Sequence, residues 1–411
     1  MPARKHSSAF MLNDRLEQLT DYPFERLRSL LDGISPPASV DPVHMHFGEP
    51  KHEPPGFIAP TLTEHAADWG RYPPIAGTSE LRAAIARWLV RRYGLPEGWL
   101  DADDQVLPVV GTREALFMAA LVAVPRRLSV GRPAVLMPNP LYHVYFGAAI
   151  ASGAEPVMLP ATRENGFQPD LRQLPAAVLD RAALAYINSP ANPQGSVADR
   201  EKLAGAIALA RAHDFVLAVD ECYAEIYTAE APPGALEVCA RMGGGSDNVL
   251  VFHSLSKRSN VPGLRSGFVA GDRRLVRSFV QLRQYAGATM PMPIMAASTR
   301  LWRDEAHVDA NRELYRQKFD VALDILDGAL GAERPGGGFF LWLEVGDGER
   351  AARELWRDAG VQVLPGAYLA RPDEAGDNPG APFIRVALVH DLETMRRAVI
   401  GIRDTLAARR E

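Results

Sequence analysis

Residues 248–267 read NVLVFHSLSKRSNVPGLRSG: an apolar run, a lysine set between small hydroxyl residues, and an arginine eight positions after it. A solvated lysine needs no such setting. A short apolar run bounded by turn residues is the pattern of a strand buried on both faces, so the stretch predicts a buried strand ending in a chemically useful amine. PAVLMPNP (133–140), EPVMLP (155–160), AALAYINSP (182–190) and FVLAVDECY (215–223) have the same form. Between the runs lie amphipathic helical patterns such as TREALFMAALVAV (112–124) and DREKLAGAIALARAHDF (199–215). This alternation predicts β-α-β units and an α/β fold with a mostly parallel sheet flanked by helices.

The pattern changes near residue 294. AASTRLWRDEAHVDANRELYRQKFDVALDILDGAL (296–330) is helical, GGFFLWLEV (337–345), VQVLP and FIRVALV read as strands, and ERAARELWRDAG as a helix. The expected organisation is therefore an N-terminal segment over 1–55 packing with a small domain, a large α/β domain over 56–293, and a smaller α+β domain over 294–411. MLNDRLEQL (11–19) reads as a polar-capped helix start, the ten residues before it as a disordered extension, and the Pro-rich stretch over 35–55 as a surface segment.

With 47% hydrophobic and 23% charged residues, the chain has the composition of a soluble globular protein. Forty-five Lys and Arg against 50 Asp and Glu leave a formal charge of −5, too mild for a nucleic-acid or membrane-surface partner. A small-molecule substrate fits better. Cys222 and Cys239 are the two cysteines, so the expected compartment is a reducing cytoplasm. The opening residues carry no apolar core of a secretion signal, and no stretch reads as a membrane span.

Ligands of open parallel sheets bind beyond the carboxyl ends of the strands. The residues at those positions are chemically matched: Asn192 in NSPANPQG, Asp220 and Tyr223 in DECY, Ser254, Ser256 and Lys257 in HSLSK, Arg265 in GLRSG, and the helix start Gly111, Thr112, Arg113. A lysine that acts as a nucleophile needs its pKa lowered, and Schiff-base formation is the usual purpose. Pyridoxal 5'-phosphate supplies the aldehyde. Its ring nitrogen keeps a proton opposite a buried carboxylate, the role open to Asp220. Tyr223 and Asn192 suit the ring hydroxyl, while the helix N-terminus, two serines and Arg265 suit the phosphate. Singly, Asp220 reads as a cap, Asn192 as a turn former and GTRE as an ordinary helix start. Together, each role is filled once.

SLSKRSNVPGLRSGFV, NSPANPQG, DECYAEIY, YPPIAGTSELRAAIARWL, FGEPKH and FIRVAL resemble the class I and II pyridoxal phosphate-dependent aminotransferases of fold type I, from about Leu16 to the C-terminus. The resemblance implies Lys257 as Schiff-base lysine and proton carrier, and Tyr142 stacked on the ring. It implies a homodimer with shared active sites, in which Tyr72 reaches the phosphate of a second subunit. It also implies Gly48 and Arg385 as the clamp on the substrate α-carboxylate, and an arginine inside the apolar strand FIRVALV itself asks for an anionic partner. The reaction implied moves an amino group between an amino acid and a 2-oxo acid, with 2-oxoglutarate and glutamate as one pair.

Within that family, YPFERLRSLL, GEPKH, DECYAEIY and HSLSKRSNVPGLRSGFVAGD are similar to aminotransferases acting on N-succinyl-LL-diaminopimelate in bacterial lysine biosynthesis. Such a substrate has remote carboxylates, for which Lys51, Arg113, Arg258 and Arg283 are the candidate partners. Two departures from the family pattern loosen the substrate reading: Gln194 stands where a small hydroxyl residue is common, and Cys222 sits between Glu221 and Tyr223. The alternatives are an aspartate, glutamate or aromatic aminotransferase, or a carbon-sulfur β-lyase on the same cofactor. No nucleotide-binding glycine motif or metalloprotease motif occurs. HMHF (44–47) reads as a strand with one exposed face, and no metal is expected.

Overall fold

The computed structural model describes residues 13–19, 22–125 and 129–406. The expected extension over residues 1–10 lies outside them. Twelve strands form three sheets among the described residues. In chain order they are β1 (Val43–His44), β2 (Val106–Val109), β3 (Ala134–Asn139), β4 (Glu155–Pro160), β5 (Ala182–Asn188), β6 (Val216–Asp220), β7 (Val249–Ser254), β8 (Gly267–Gly271), β9 (Phe340–Glu344), β10 (Val361–Gln362), β11 (Leu364–Pro365) and β12 (Phe383–Ala387).

The large sheet has the order β2-β8-β7-β6-β5-β3-β4. Its strands are parallel except β8, which runs antiparallel to both neighbours. Alternate side chains leave opposite faces of a strand: Leu217 and Val219 of β6 join one core cluster, Val216 and Ala218 the other. Val249 and Val251 of β7 go to the first, Leu250 and Phe252 to the second. Both faces are thus packed, which is why these strands read as unbroken apolar runs.

Register brings the chemistry to one edge. Asn188 pairs with Asp220, and Asp220 with Phe252, so β5, β6 and β7 end side by side. Because β8 is reversed, its first residue Gly267 pairs with both Ser254 and Val109. Arg265, just before β8, and Gly111, just after β2, therefore meet at that same edge.

The smaller layer is the antiparallel sheet β11-β12-β9, packed with the helices Ala306–Leu326 and Leu392–Leu406 through Phe319, Ile325, Leu341, Ile384, Val386 and Val399. The N-terminal segment is not confined to the surface. Leu27, Val43 and Met45 are buried, and Val43 pairs with Val361 of β10. His44 is exposed as the alternation requires, whereas His46 is buried.

The long helical stretch over 296–330 breaks at Asp304. Its first part, Met292–Arg303, packs on the helix Ser79–Tyr93 of the large layer, with the rings of Trp302 and Trp88 4.8 Å apart. It therefore spans the 293/294 position at which the sequence pattern changes. Among the described residues no helix is long and apolar enough to cross a membrane.

Trp88 is 1% exposed and touches Trp302, Phe268 and the Arg258 guanidinium. Trp88→Ala should cost about 3–5 kcal/mol of stability, read as an earlier unfolding midpoint in denaturant with the large-layer signal lost first.

Candidate active site

A cavity of about 320 Å³ opens at the carboxyl edge of the large sheet. Its walls include Asn188, Asn192, Asp220, Cys222, Tyr223, Ser254, Ser256, Lys257 and Arg265 from the large layer, and Phe340 and Arg385 from the smaller one. Tyr22, Phe24, Phe47, Gly48 and Glu49 add a wall from the N-terminal segment.

Lys257 leaves β7 on a single turn, Leu255–Arg258, capped by the Ser254 hydroxyl, which accepts from Ser256 N at 3.1 Å. Its Nζ donates to Gly48 O at 2.5 Å and lies 5.3 Å from the centre of the Phe339 ring. Burial pushes the amine from 10.5 down to about 8; Arg385 and Arg265 push the same way, against Cys222 and Glu49. A lysine so placed is a competent nucleophile near neutral pH.

Asp220 is buried at the end of β6. It accepts from Tyr145 Oη at 2.7 Å and from Cys222 N at 3.2 Å, and burial raises its pKa against those hydrogen bonds. Such a carboxyl suits a proton shared with a basic ring nitrogen. Tyr223 is buried against Phe339 and Phe340 at ring distances of 5.4 and 5.9 Å. Desolvation keeps its hydroxyl protonated.

Arg385, on β12, is 4% exposed. Its Nη1 donates to Asn192 Oδ1 at 2.9 Å, its Nη2 to His46 O at 2.8 Å, and its guanidinium lies 4.3 Å from the Phe340 ring centre. Burial lowers its pKa to about 10, which leaves it charged at neutral pH. Its Nε has no hydrogen-bond partner among the described residues. Among the described residues it makes no ion pair with a carboxylate, so an entering anion gains a desolvated cation.

Gly111 is the cap of the helix Thr112–Ala123, with φ +83° and no side-chain cap bond, so the first N–H groups of that helix have no side-chain acceptor there. A Cβ at Gly111 would collide with the Arg265 guanidinium. Glycine thus leaves a cradle between a helix N-terminus and an arginine, the donor set of a phosphate site. Thr112 Oγ1 stands 3.1 Å from Cys222 Sγ. Arg113 bonds to two phenols, Tyr142 Oη at 2.9 Å and Tyr22 Oη at 3.2 Å, and stays charged.

Gly111 sits just behind the cavity wall, and four further sequence candidates stand outside it. Arg258 is buried against Trp88 and Trp302, donating to Leu301 O and Glu305 Oε1, both at 2.8 Å. Arg283 is spent on Pro108 O at 2.6 Å and Ala288 O at 3.1 Å. These two are corrections: next to a motif residue or not, each satisfies backbone carbonyls rather than facing a ligand. Lys51 turns to the imidazole of His390 at 3.4 Å. Tyr72 is fully exposed, away from this chain's own cavity.

The sequence reading missed Tyr145, three residues after Tyr142, whose hydroxyl holds Asp220 and whose ring stacks on Tyr186 at 4.3 Å. It also missed Tyr22, Glu49 and Asn188, the last holding Asn192 N at 2.7 Å. Among the described residues no cluster of His, Cys, Asp and Glu is arranged to hold a metal.

The profile of the family described as "Aminotransferase class I and II" matches residues 41–402. The chain is 30% identical to the LL-diaminopimelate aminotransferase of Syntrophobacter fumaroxidans, over 96% of this chain and 99% of the relative. It is 34% identical to the 4-dedimethylamino-4-oxo-anhydrotetracycline transaminase of Streptomyces rimosus, over 84% and 88%. An aminotransferase from Neisseria meningitidis superposes with a TM-score of 0.90 at 42% identity, covering 96% of this chain and 99% of the other. The aminotransferase AspB of Helicobacter pylori gives 0.86 at 36%, covering 94% and 99%. The chain belongs to the class I and II aminotransferase family, has its fold type I architecture, and is a pyridoxal phosphate-dependent aminotransferase. The residues present fit that cofactor: a lysine of lowered pKa, a buried carboxyl, and the Gly111 cradle.

Two outcomes check this geometry. Capture of pyridoxal phosphate by the apoprotein, followed by absorbance, should speed up as pH rises through about 8 and then level off, because only the neutral Lys257 amine attacks. Gly111→Ala should weaken cofactor binding about ten-fold in a fluorescence titration, since the new methyl displaces Arg265 and strains a left-handed φ.

Proposed function

We propose that the chain exchanges an amino group between N-succinyl-LL-2,6-diaminopimelate and 2-oxoglutarate, a reversible step that runs from glutamate in the diaminopimelate route to lysine. The observation that carries this reading is Arg113. It lines the cavity, its bonds go to the hydroxyls of Tyr142 and Tyr22, and it makes no ion pair among the described residues. A donor with a carboxylate far from its reacting amine would supply the missing anion.

Pyridoxal phosphate, when bound, supplies an electron sink for the bond being broken at the donor's Cα. In our reading Lys257 would hold the cofactor and, once freed, would carry the donor's Cα proton to the cofactor's C4′ carbon. Asp220 would keep the ring nitrogen protonated, Tyr223 and Asn192 would bond the ring hydroxyl, and Tyr142 would pack on the ring. Gly111, Thr112 and Arg113 N–H groups, Ser254, Ser256 and Arg265 hold the phosphate, and Tyr72 of one subunit completes the partner's site. The full exposure of Tyr72 in the single chain supports a contact with a second copy. Arg385, already charged and half-satisfied by Asn192 and His46, clamps the α-carboxylate beside Gly48. Phe340 beneath it excludes water.

A second reading is LL-diaminopimelate itself, whose distal end offers Arg113 a carboxylate too but carries a free ammonium beside it. Glu49 on the cavity wall is the carboxylate that favours it, and the names of several relatives point the same way.

Half-reactions followed by cofactor absorbance separate the two. Rapid conversion by the N-succinyl compound and by glutamate, with little by the free diamine, supports the first reading; the reverse order supports the second. Conversion by glutamate or aspartate alone would sink both. Arg113→Gln should raise KM for the N-succinyl donor about ten-fold or more while leaving a donor with no distal carboxylate, such as alanine, unchanged.

A further inference from the structure

Lys318 lies on the helix Ala306–Leu326, 3% exposed, with no carboxylate at ion-pair distance among the described residues. An ammonium buried without a counter-ion is costly and persists where it does something. Asp391 is the acidic group that acts on it, the Tyr315 ring centre lies 5.1 Å away, and burial pushes its pKa down to about 8.

Its bonds form a directed chain. Lys318 Nζ lies 2.6 Å from His52 Nε2 and donates to Val389 O at 3.4 Å. His52 Nδ1 lies 2.8 Å from Asn311 Oδ1. Asn311 Nδ2 donates to Lys257 O at 3.3 Å and to Arg258 O at 3.4 Å. A lysine ammonium only donates, so His52 accepts at Nε2 and carries its proton on Nδ1. That proton goes to Asn311 Oδ1, which also accepts from Asn260 Nδ2 at 2.8 Å. The amide is thereby locked with its NH2 toward the carbonyl of Lys257.

The other end of Lys257 is tied to the same N-terminal segment. Its Nζ donates to Gly48 O, four residues before His52. A second path runs through rings: His52 against Tyr315 at 4.6 Å, Tyr315 stacked on Phe339 at 5.3 Å, and Phe339 beneath Lys257 Nζ.

We propose that Lys318, His52 and Asn311 are positioning residues, a relay that fixes the turn bearing Lys257 against segment 48–52 and so sets where its amine stands when it moves the proton. The relay rests on the assignment of Lys257 as the proton-moving amine. That assignment fails separately: cofactor absorbance typical of a lysine adduct would survive Lys257→Ala.

The relay is tested first in the wild-type holoenzyme by 15N NMR of labelled histidines. His52 should be a neutral Nδ1–H tautomer at pH 7; an Nε2–H tautomer or an imidazolium would overturn the relay. Next, His52→Leu and Lys318→Met should lower kcat about ten-fold or more while KM for the amino donor stays within about three-fold, as for a misplaced reacting group. His52→Gln, whose amide can accept from Lys318 and donate to Asn311, should recover most of the loss. Folded Leu and Met variants with unchanged kcat, or a Gln variant no better than Leu, would refute it. If these variants do not fold, the tautomer decides.

Discussion

The site depends on keeping one amine poorly solvated. An ordinary lysine is protonated at neutral pH and attacks nothing. Lys257 is brought down to about 8 by burial, with Arg385 and Arg265 adding repulsion. That burial takes three parts of the chain: strand ends β6 and β7 behind it, Phe339 and Phe340 of the smaller layer beside it, and Gly48 on its Nζ. Remove any one wall and water returns to the amine. The packing of the smaller layer against the large sheet is thus part of the chemistry as well as of stability.

The same desolvation sharpens the other charges. Arg385 and Asp220 are both buried, and each shifts toward its neutral form, the arginine down and the carboxyl up. Each is stabilised by fixed dipoles, Asn192 and His46 O for the cation, Tyr145 and Cys222 N for the carboxyl. Groups held this way need little rearrangement when a ligand of opposite charge enters.

Much of this was legible in the sequence, because a two-faced buried strand has an unmistakable apolar run and its carboxyl end is the place to look for ligands. Asp220, Lys257 and Asn192 line the predicted edge for that reason, whereas Arg385, on β12 of the smaller sheet, was signalled by the resemblance and by its place inside an apolar strand. What a linear reading lacks is direction. Arg258 follows Lys257 directly, and on a single helical turn adjacent residues face different ways, so one lines the cavity while the other is sealed behind Trp88 and Trp302. Arg283 and Lys51 are likewise cations whose partners, Pro108 O and His390, lie far off in sequence. Tyr145 was hidden by its own helix, looking like core packing, and it is core packing that also orients a carboxylate. The break at Asp304 left no proline or glycine to announce it.

The pairing of Val43 with Val361 has a bearing on how the chain is made. Residues leave the ribosome in order, and strand β1 must wait for a partner some 318 positions later. The large sheet and its phosphate cradle can assemble from β2 to β8 while the rest is still being synthesised, since domains tend to form as units in chain order. Gly48, Glu49 and Arg385 come into place together at the end. A nascent chain therefore completes the sheet edge that bears Lys257 and Gly111 before it closes the cavity over that edge, and the contacts that complete the cavity are those with the longest loops to close.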